Sequence, residues 1–303
     1  MSKEHPPQSG SEERRLHVPV LLQATLDTLH PIQGEAYLDL TAGYGGHAER
    51  FLAITENYPD AVLVDRDDYA ISHLDRLKRK GVRLLHADFV SASEQLIAEG
   101  KQFDIVLVDL GVSSPQLDQS ERGFSFTKNG PLDMRMDRRQ EESAETLVNT
   151  AGSDELTRII TTYGEEPLGF ARRISQAIVQ HRPLKTTKEL ADLIVSIHRG
   201  KWQKIHPATR TFQALRIAVN HELRQIEYLL PLLPGLLKPG GRVGVISFHS
   251  LEDRLVKQYF ADQKHAGLEA ELTILTKKPL AGDVYDVHNP RARSAKLRAA
   301  VKK

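Results

Sequence analysis

A short apolar segment, followed at once by a glycine-rich turn and a helix, most constrains how this chain can fold. Residues 37–48 read Tyr-Leu-Asp-Leu-Thr-Ala-Gly-Tyr-Gly-Gly-His-Ala, and residues 49–54 continue with a helical pattern. Glycines lack a Cβ, so this turn can bend tightly and bring the backbone close to a ligand. The start of a helix adds unpaired N–H groups and a positive dipole end. The pattern predicts a cradle for a nucleotide-type cofactor.

Further strands alternate with helices along the first third of the chain. The apolar runs read as strands at 37–40, 61–65, 82–89 and 103–110, with helices at 49–54 and 69–80. Continuous apolar strands that alternate with helices are typical of a parallel sheet covered on both faces. The fold class is therefore predicted to be α/β and Rossmann-like, with a mostly parallel sheet.

The alternation of predicted strands and helices stops after Asp109. Residues 111–131 lack a helical period and read as a functional loop, and helical patterns follow at 154–163, 169–180, 187–198 and 209–230. The sheet resumes with a strand at 241–248, a helix at 251–260 and two closing strands, 272–277 and 294–301, which are predicted to pair at the sheet edge. The predicted division is a disordered tail at 1–15, a Rossmann-like domain at 16–140 and 234–303, and a helical insertion at 141–233.

Composition narrows the class of protein further. The chain has 303 residues, no cysteine and a formal net charge of +1. It therefore has no disulfides or thiolate sites and fits the cytoplasm, and any nucleic-acid binding has to come from local basic patches. The most apolar stretch, 229–237, is too short and too interrupted by proline to span a bilayer, so no membrane association is expected.

Aspartates follow or end the four predicted strands, at Asp39, Asp65, Asp88 and Asp109. Ligands of open parallel sheets bind at the carboxyl ends of the strands, and an acid about 20 residues after the glycine turn usually accepts from ribose hydroxyls. Asp65 has this position, although a helix cap is its ordinary alternative. Asp39 suits an ammonium group, and Asp88 with Phe89 suits an adenine. S-adenosylmethionine carries all of these groups.

Two other chemistries fit part of the sequence. The glycine turn also fits a dinucleotide pattern, so a nicotinamide oxidoreductase is an alternative. His249 and Asp253 are four residues apart, but two ligands are too few for a metal site, and His221 with Glu222 reads as a surface pair. No catalytic metal is predicted.

Several longer strings resemble one family. They are Asp39–His47, Asp109–Asp118, Arg122–Phe126, Gly130–Asp137, His206–Arg216, Ile246–Arg254 and Asn289–Arg298. Together they resemble the bacterial 16S ribosomal RNA N4-cytosine methyltransferase family (RsmH, also called MraW), over about residues 17–298. The resemblance implies a class I methyltransferase fold of seven strands, with a helical insertion between the fourth and fifth strands. It also implies methyl transfer from S-adenosylmethionine to N4 of one cytidine near the decoding site, on 16S ribosomal RNA or the small ribosomal subunit.

The resemblance also implies which residues contact the cofactor. These are Gly45, Gly46, His47, Asp65, Phe89, Asp109 and Gln116. The glycine turn here reads Thr-Ala-Gly-Tyr, where relatives often carry other residues beside the glycines, and this difference leaves the backbone role intact.

Catalysis is assigned to the loop that follows the fourth strand. Amino methyltransferases hold the amine with polar groups at this position, so Asp109, Ser113 or Ser114 is predicted to accept a hydrogen bond from N4. Phe124 or Phe126 is predicted to stack on the extruded base. An ordinary turn is the alternative interpretation of Ser113-Ser114-Pro115.

Basic residues are predicted to hold RNA phosphates. Those assigned to RNA binding are Arg135, Arg210, Arg216, Arg291 and Arg293, with Arg138, Arg139, Lys296 and Arg298 as further members of the same runs. The helical insertion is the predicted RNA-recognition domain. A non-catalytic ribosome assembly factor is the second functional hypothesis, and the oligomeric state is left open, with a homodimer as one option.

Overall fold

The computed structural model describes residues 19–199 and 205–303, so the predicted tail at 1–15 lies outside the described residues. One mixed sheet forms its centre. The strands are β1 (Tyr37–Asp39), β2 (Val62–Asp65), β3 (Arg83–His86), β4 (Phe103–Asp109), β5 (Leu237–Ser247), β6 (Leu272–Ile274), β7 (Leu280–Ala281) and β8 (Lys296–Lys302).

The strand order confirms the predicted class of fold. Seven strands follow the order β3-β2-β1-β4-β5-β8-β6, and the two-residue β7 pairs with β8 off this path. The first five are parallel, and β8 lies antiparallel between β5 and β6. The closing strands therefore pair at the sheet edge as predicted. The order reverses between β1 and β4, which is where open α/β sheets bind ligands.

Fifteen α-helices are present in the described part of the chain. They are α1 (Leu22–Leu29), α2 (Gly46–Thr55), α3 (Asp68–His73), α4 (Asp75–Lys78), α5 (Phe89–Ala98), α6 (Ser114–Asp118), α7 (Ala144–Thr150), α8 (Ser153–Gly164), α9 (Leu168–Gln180), α10 (Thr187–Ile197), α11 (Thr209–Asn220), α12 (Glu222–Leu229), α13 (Leu233–Leu236), α14 (Ser250–His265) and α15 (Gly282–Tyr285). Among the described residues, no helix has the length and apolar character needed to cross a membrane.

Alternate residues of the strands fill two cores, one on each face of the sheet. Leu38 and Val106 point to the face covered by α5, α12, α13 and α14. Tyr37 and Ile105 point to the other face, covered by α1, α2 and α4. This alternation follows from the two-residue period of a strand, and it buries the sheet on both sides as predicted.

A third core is built by the helical region. It joins helices α7 to α11 with a loop segment that contains Phe124, Leu132, Met134 and Met136. By contrast, α12 and α13 pack on the sheet through Ile226 and Leu233. The predicted division at 140/141 and 233/234 stays a prediction, but the hydrophobic cores separate earlier at both ends.

Two predicted helices are interrupted in the structure. The predicted helix at 69–80 breaks at Leu74, between α3 and α4. The predicted helix at 209–230 breaks at His221, whose φ of 51° is left-handed. The Asn220 side chain stabilises this break, because it accepts from Met136 N at 2.8 Å and donates to Met134 O at 2.7 Å. As a consequence Glu222 begins a new helix in a different direction.

Candidate active site

A cavity of 860 Å³ opens at the carboxyl ends of the parallel strands. Such a volume lies in the upper part of the usual range for small-molecule sites, about 300–1,000 Å³. Most of the predicted cofactor residues line it: Gly46, His47, Asp65, Phe89, Asp109 and Gln116. Gly45 lies in the same turn but does not face the cavity. The predicted catalytic residues Ser113 and Ser114 line it as well.

The glycine turn forms the floor of this cavity. Gly45 has a φ of 84°, and a Cβ on it would lie 3.0 Å from Leu74 Cδ2. Gly43 N donates to Asp65 Oδ2 at 2.7 Å, so the turn is tied to the end of β2. Helix α2 begins at Gly46, and its first two residues, Gly46 and His47, line the cavity. The chain therefore builds a cradle in which a side chain at Gly45 would not fit.

Asp65 has a second structural contact. Its Oδ1 accepts from Asp67 N at 2.8 Å. Burial raises the pKa of Asp65, and the backbone N–H groups of Asp67 and Gly43 oppose that shift. A carboxylate has further lone pairs beyond these two bonds, so the predicted ribose contact stays compatible with the geometry.

Two carboxyl groups, the buried Asp39 and the partly buried Asp109, stand at the ends of the central strands. Asp39 accepts from Tyr37 Oη at 2.9 Å and from Thr41 N at 3.1 Å, and burial raises its pKa to about 7. The side chain of Asp109 is 25% exposed, and none of the described residues donates a hydrogen bond to its Oδ1. Burial, followed by the charges of Asp39 and Glu252, raises the pKa of Asp109 well above its ordinary value. Neither acid has a charged cationic partner in the described part of the chain, and a positively charged ligand would supply one.

His47 lies beneath the cradle, beside Asp109. Its Nε2 is 3.7 Å from Asp109 Oδ2, and only 6% of its side chain is exposed. Burial lowers the pKa of His47 to about 4. The imidazole is therefore neutral at pH 7, and it does not neutralise Asp109.

The loop after β4 is held by a buried polar network. Ser113 and Gln116 form a capping box at the start of α6, in which Ser113 Oγ accepts from Gln116 N. Gln116 Nε2 donates to Asp67 Oδ2 at 2.7 Å, and Arg122 Nη1 donates to the same oxygen at 2.7 Å. The Ser113 hydroxyl thus has a structural contact, while Asp109 remains the acceptor with an unused oxygen.

A second wall of the cavity carries two acids and an arginine. Arg216 donates from Nε and Nη2 to the two oxygens of Glu222, each at 2.9 Å. Glu252 lies near them and accepts from Phe248 N at 2.7 Å. Side-chain exposure is 15% for Arg216 and 5% for Glu222. The prediction that Glu222 belongs to a surface pair is therefore wrong, because the break at His221 turns it inward.

Within the described residues, one group has the spacing of metal ligands: Glu222, His249 and Glu252. His249 Nδ1 accepts from Glu252 N at 3.4 Å, so the proton of a neutral imidazole lies on Nε2. A metal-bound histidine instead donates its other ring N–H to an acceptor. Both oxygens of Glu222 already bind Arg216, and the pair weighed by sequence, His249 with Asp253, is not formed because Asp253 binds Lys296 and Arg298.

The predicted RNA-binding arginines fall into two groups. Arg216 and Arg291 line the cavity, and Arg291 pairs with Asp118 at 2.9 Å near its mouth. Outside the cavity, Arg135 pairs with Asp133, Arg210 pairs with Glu166, and Arg293 is exposed. Arg216 is too buried for a surface phosphate contact. The same holds for Arg298, which is 9% exposed and paired with Asp253.

Three other residues with predicted contacts have structural roles. Asp88 lines the cavity and also caps α5, because its Oδ1 accepts from Val90 N and Ser91 N. Phe124 is 6% exposed within the helical core, and Phe126 packs against His206 and Phe212. Neither ring is among the residues that line the cavity, and Phe126 is partly buried against the helical core. The predicted stacking roles stay predictions.

Sequence reasoning missed three groups in the cavity. Tyr44 lines it and leaves a buried hydroxyl without a hydrogen bond. Arg66 and Glu252 line it too. Tyr44 lies between the glycines, and Arg66 directly follows Asp65, so their positions beside two strand ends could have placed them in the cavity. No sequence feature could have placed Glu252 there, since an acid three residues into a helix is an ordinary capping residue.

The strand order, the glycine turn and the acids at the strand ends define a class I methyltransferase. The chain belongs to the MraW methylase family, whose model matches residues 14–303. This membership confirms the predicted class of enzyme and S-adenosylmethionine as its cofactor. The cradle fits that cofactor, because it joins a close backbone approach with buried acids that lack a cation.

Similar proteins match over nearly their whole length. One from a Cyanothece species, a ribosomal RNA small subunit methyltransferase H, is 49% identical over 301 residues and covers 96% of each chain. Another with the same description, from a Synechocystis species, is 47% identical in an alignment of 298 residues that covers 94% of this chain and 93% of the relative.

The affinity for S-adenosylmethionine is expected to rise with pH between about 6 and 8. Asp39, with a pKa of about 7, is partly protonated in the free protein, and burial shifts the pKa of Asp109 in the same direction. A bound cation favours their ionised forms, so binding releases protons and strengthens as pH rises, by up to about tenfold per pH unit for each proton released. Calorimetry in buffers of different ionisation enthalpy measures the release.

S-adenosylhomocysteine is the control ligand, since it has no sulfonium charge. Its affinity is expected to depend less on pH. Equal proton release with both ligands would contradict the assigned role of the acids.

Proposed function

We propose that this chain transfers a methyl group from S-adenosylmethionine to the exocyclic N4 of one cytidine in 16S ribosomal RNA. The observation that carries the proposal is Asp109, a partly buried acid at the carboxyl end of β4, beside the cofactor cradle, whose Oδ1 accepts no hydrogen bond from the described residues. The two relatives described as small subunit methyltransferases support the class of substrate. This substrate would place the reaction in the cytoplasm.

The proposed reaction needs an acceptor for the amine protons, because the N4 lone pair is delocalised into the ring. S-adenosylmethionine, when bound, supplies a methyl group whose bond to sulfur breaks as the bond to N4 forms. Asp109 Oδ1 would accept a hydrogen bond from N4 and orient the amine. The same oxygen would take the proton that the amine loses, as a general base.

On the side of Asp109 away from the proposed acceptor base, the cavity is lined by groups that fit the cofactor. Gly46 and His47 start the helix at the methionine end, Asp65 would accept from the ribose, and Phe89 would contact the adenine. Gln116 would complete this side while it is held by Asp67. These assignments stay proposals, as do the catalytic roles of Ser113 and Ser114.

RNA would approach over the cavity mouth. Arg291 stands there, and Arg293 follows on the exposed side of the same segment. Arg135 and Arg210 lie on the helical region, which we propose as the domain that docks the RNA. A base in a duplex would have to be extruded to reach Asp109. The proposal includes a homodimer, and light scattering measures whether two copies of the chain associate.

Mass mapping of small-subunit RNA tests the function directly. RNA from cells that lack the protein is expected to lose one N4-methyl mark on a cytidine, and purified protein with S-adenosylmethionine is expected to restore it. Catalytically inactive protein serves as the control. An unchanged set of methylated cytidines would overturn the proposed substrate.

A ribosome assembly factor without catalysis is the second hypothesis. The cofactor cradle alone does not distinguish an enzyme from an assembly factor, since a bound cofactor would also stabilise a protein without catalytic activity. Restoration of the mark by the purified protein distinguishes them, because an assembly factor would bind the subunit and leave its cytidines unmodified.

A further inference from the structure

The cavity continues past Asp109 to a second wall that the cofactor contacts do not use. Phe248, Ile226 and Met136 give this wall apolar surfaces, and Arg216 and Glu252 give it charge. A flat heterocycle with polar edges would fit this wall, because its faces can contact the apolar side chains and its edges can bond to the charged ones. The wall adjoins the loop after β4, because a Cβ on Gly111 would lie 3.4 Å from Phe248 Cδ2 and 4.0 Å from Glu252 Oε1.

Arg216 is held in one orientation on this wall. Two of its three nitrogens donate to Glu222, and Nη1 makes no hydrogen bond to the described residues. Burial alone would lower the pKa of Arg216, but the charges of Glu222 and Glu252 raise it above its ordinary value. Nη1 therefore offers two fixed N–H donors, and a guanidinium has no acceptor.

We propose that Arg216 acts together with Asp109 to select cytosine over uracil, by donating from Nη1 to the N3 and O2 edge of the acceptor base. This inference rests on the proposed function. With N4 at Asp109, the next two atoms along the base edge of cytosine are acceptors, N3 and O2. Uracil carries a hydrogen on N3, which would face the N–H donors of Arg216 and leave them unpaired.

The fold explains why Arg216 reaches this position. Helix α11 ends at Asn220, and the left-handed His221 returns the chain so that Glu222 faces Arg216. Asn220 also fixes Met136, a member of the same wall. The helical region, the loop segment and α12 thus meet at the guanidinium, and Arg216 is a specificity residue supplied by the helical region.

The test compares two RNAs that differ only at the mapped target, one with cytidine and one with uridine. Binding is measured with S-adenosylhomocysteine present, so that no turnover occurs. Wild-type protein is expected to prefer the cytidine RNA by about tenfold or more. Arg216→Lys keeps the charge but loses the planar donors. It is expected to reduce the preference several-fold without abolishing it, because Asp109 still accepts from the N4 amine of cytosine and has no donor for the O4 oxygen of uracil.

Two further variants make the outcome decisive. Arg216→Met/Glu222→Gln removes both charges of the buried pair. It is expected to weaken the preference at least as much as Arg216→Lys, while S-adenosylmethionine affinity stays within about threefold of wild type. Arg224→Lys, on the exposed side of α12 where Arg224 pairs with Tyr228, is expected to keep the preference.

Each result bears on a different statement. If wild-type protein does not distinguish the two RNAs, the proposed substrate fails together with the role of Arg216. If wild type distinguishes them and both Arg216 variants do so equally well, only the role of Arg216 is overturned. Stoichiometric Zn²⁺ or Mg²⁺ binding that depends on Glu222 and His249 would also overturn it, by making the cluster a metal site.

Discussion

Asp109→Asn is expected to lower kcat for methyl transfer by about 10²- to 10⁴-fold, the usual contribution of a positioned general base. An asparagine keeps the shape of the side chain and still offers one oxygen to the amine. It cannot take the proton, so the chemical step should lose rate while RNA binding is retained. Single-turnover methylation at saturating cofactor measures the effect, and gel-shift titration measures RNA affinity.

Asp104→Asn is the matched control for this substitution. Asp104 lies at the opposite end of the same strand, where it pairs with Lys238 at 2.7 Å. We expect its kcat to stay within about twofold of wild type, as for an ordinary surface change. A wild-type rate for Asp109→Asn would remove the assignment of Asp109 as the base.

Arg122→Met is expected to destabilise the protein by about 3–5 kcal/mol, because it leaves the buried carboxylate of Asp67 without its cationic partner. Arg122 is 2% exposed and donates to Asp67, Arg135 O and Met136 O. It therefore joins the end of β2, the loop after β4 and the segment that enters the helical core. Urea unfolding followed by circular dichroism measures the change.

The exposed pair of Arg139 with Asp137 supplies the control. Arg139 is 57% exposed, and the two residues are near in sequence. Arg139→Met is expected to change stability by about 0–1 kcal/mol. An equally small effect at Arg122 would contradict its role in holding the three segments together.

The fold was predictable where local patterns decide the structure. The apolar strands, the glycine turn and the acids at the strand ends come from short stretches, and parallel strands then bring their carboxyl ends to one edge. Asp65 and Asp109 were placed in the cavity on this basis, and the structure lines the cavity with both.

Long-range contacts explain what the sequence did not predict. Arg216 and Glu222 read as ordinary charges of a helix surface, and only the left-handed His221, fixed by Asn220 and the distant Met136, buries them. Phe124 reads as a free aromatic ring in a loop, but helices far along the chain enclose it. The residues that bury Arg216, Glu222 and Phe124 lie too far away in the chain to be recognised from the neighbouring sequence.

Nothing in the sequence pattern distinguished an acid that caps a helix from one that binds the glycine turn. Asp88 and Asp65 lie at the ends of apolar strands and both line the cavity, yet Asp88 caps α5 whereas Asp65 is tied to the glycine turn. The difference depends on where the next helix begins, and helix boundaries are the least predictable feature of a chain.

The position of β5 in the chain also sets an order for folding during synthesis. About 130 residues separate the end of β4 from the start of β5, a gap of roughly 6–25 s at about 5–20 residues per second of translation. Throughout that interval one edge of β4 has no partner, and unpaired edges recruit other chains. The helical core, whose members all lie between Phe124 and Val219, emerges complete within the gap. The ribosome thus releases a finished helical unit before the sheet can close, and slower elongation would lengthen the exposure of the nascent strand edge to aggregation.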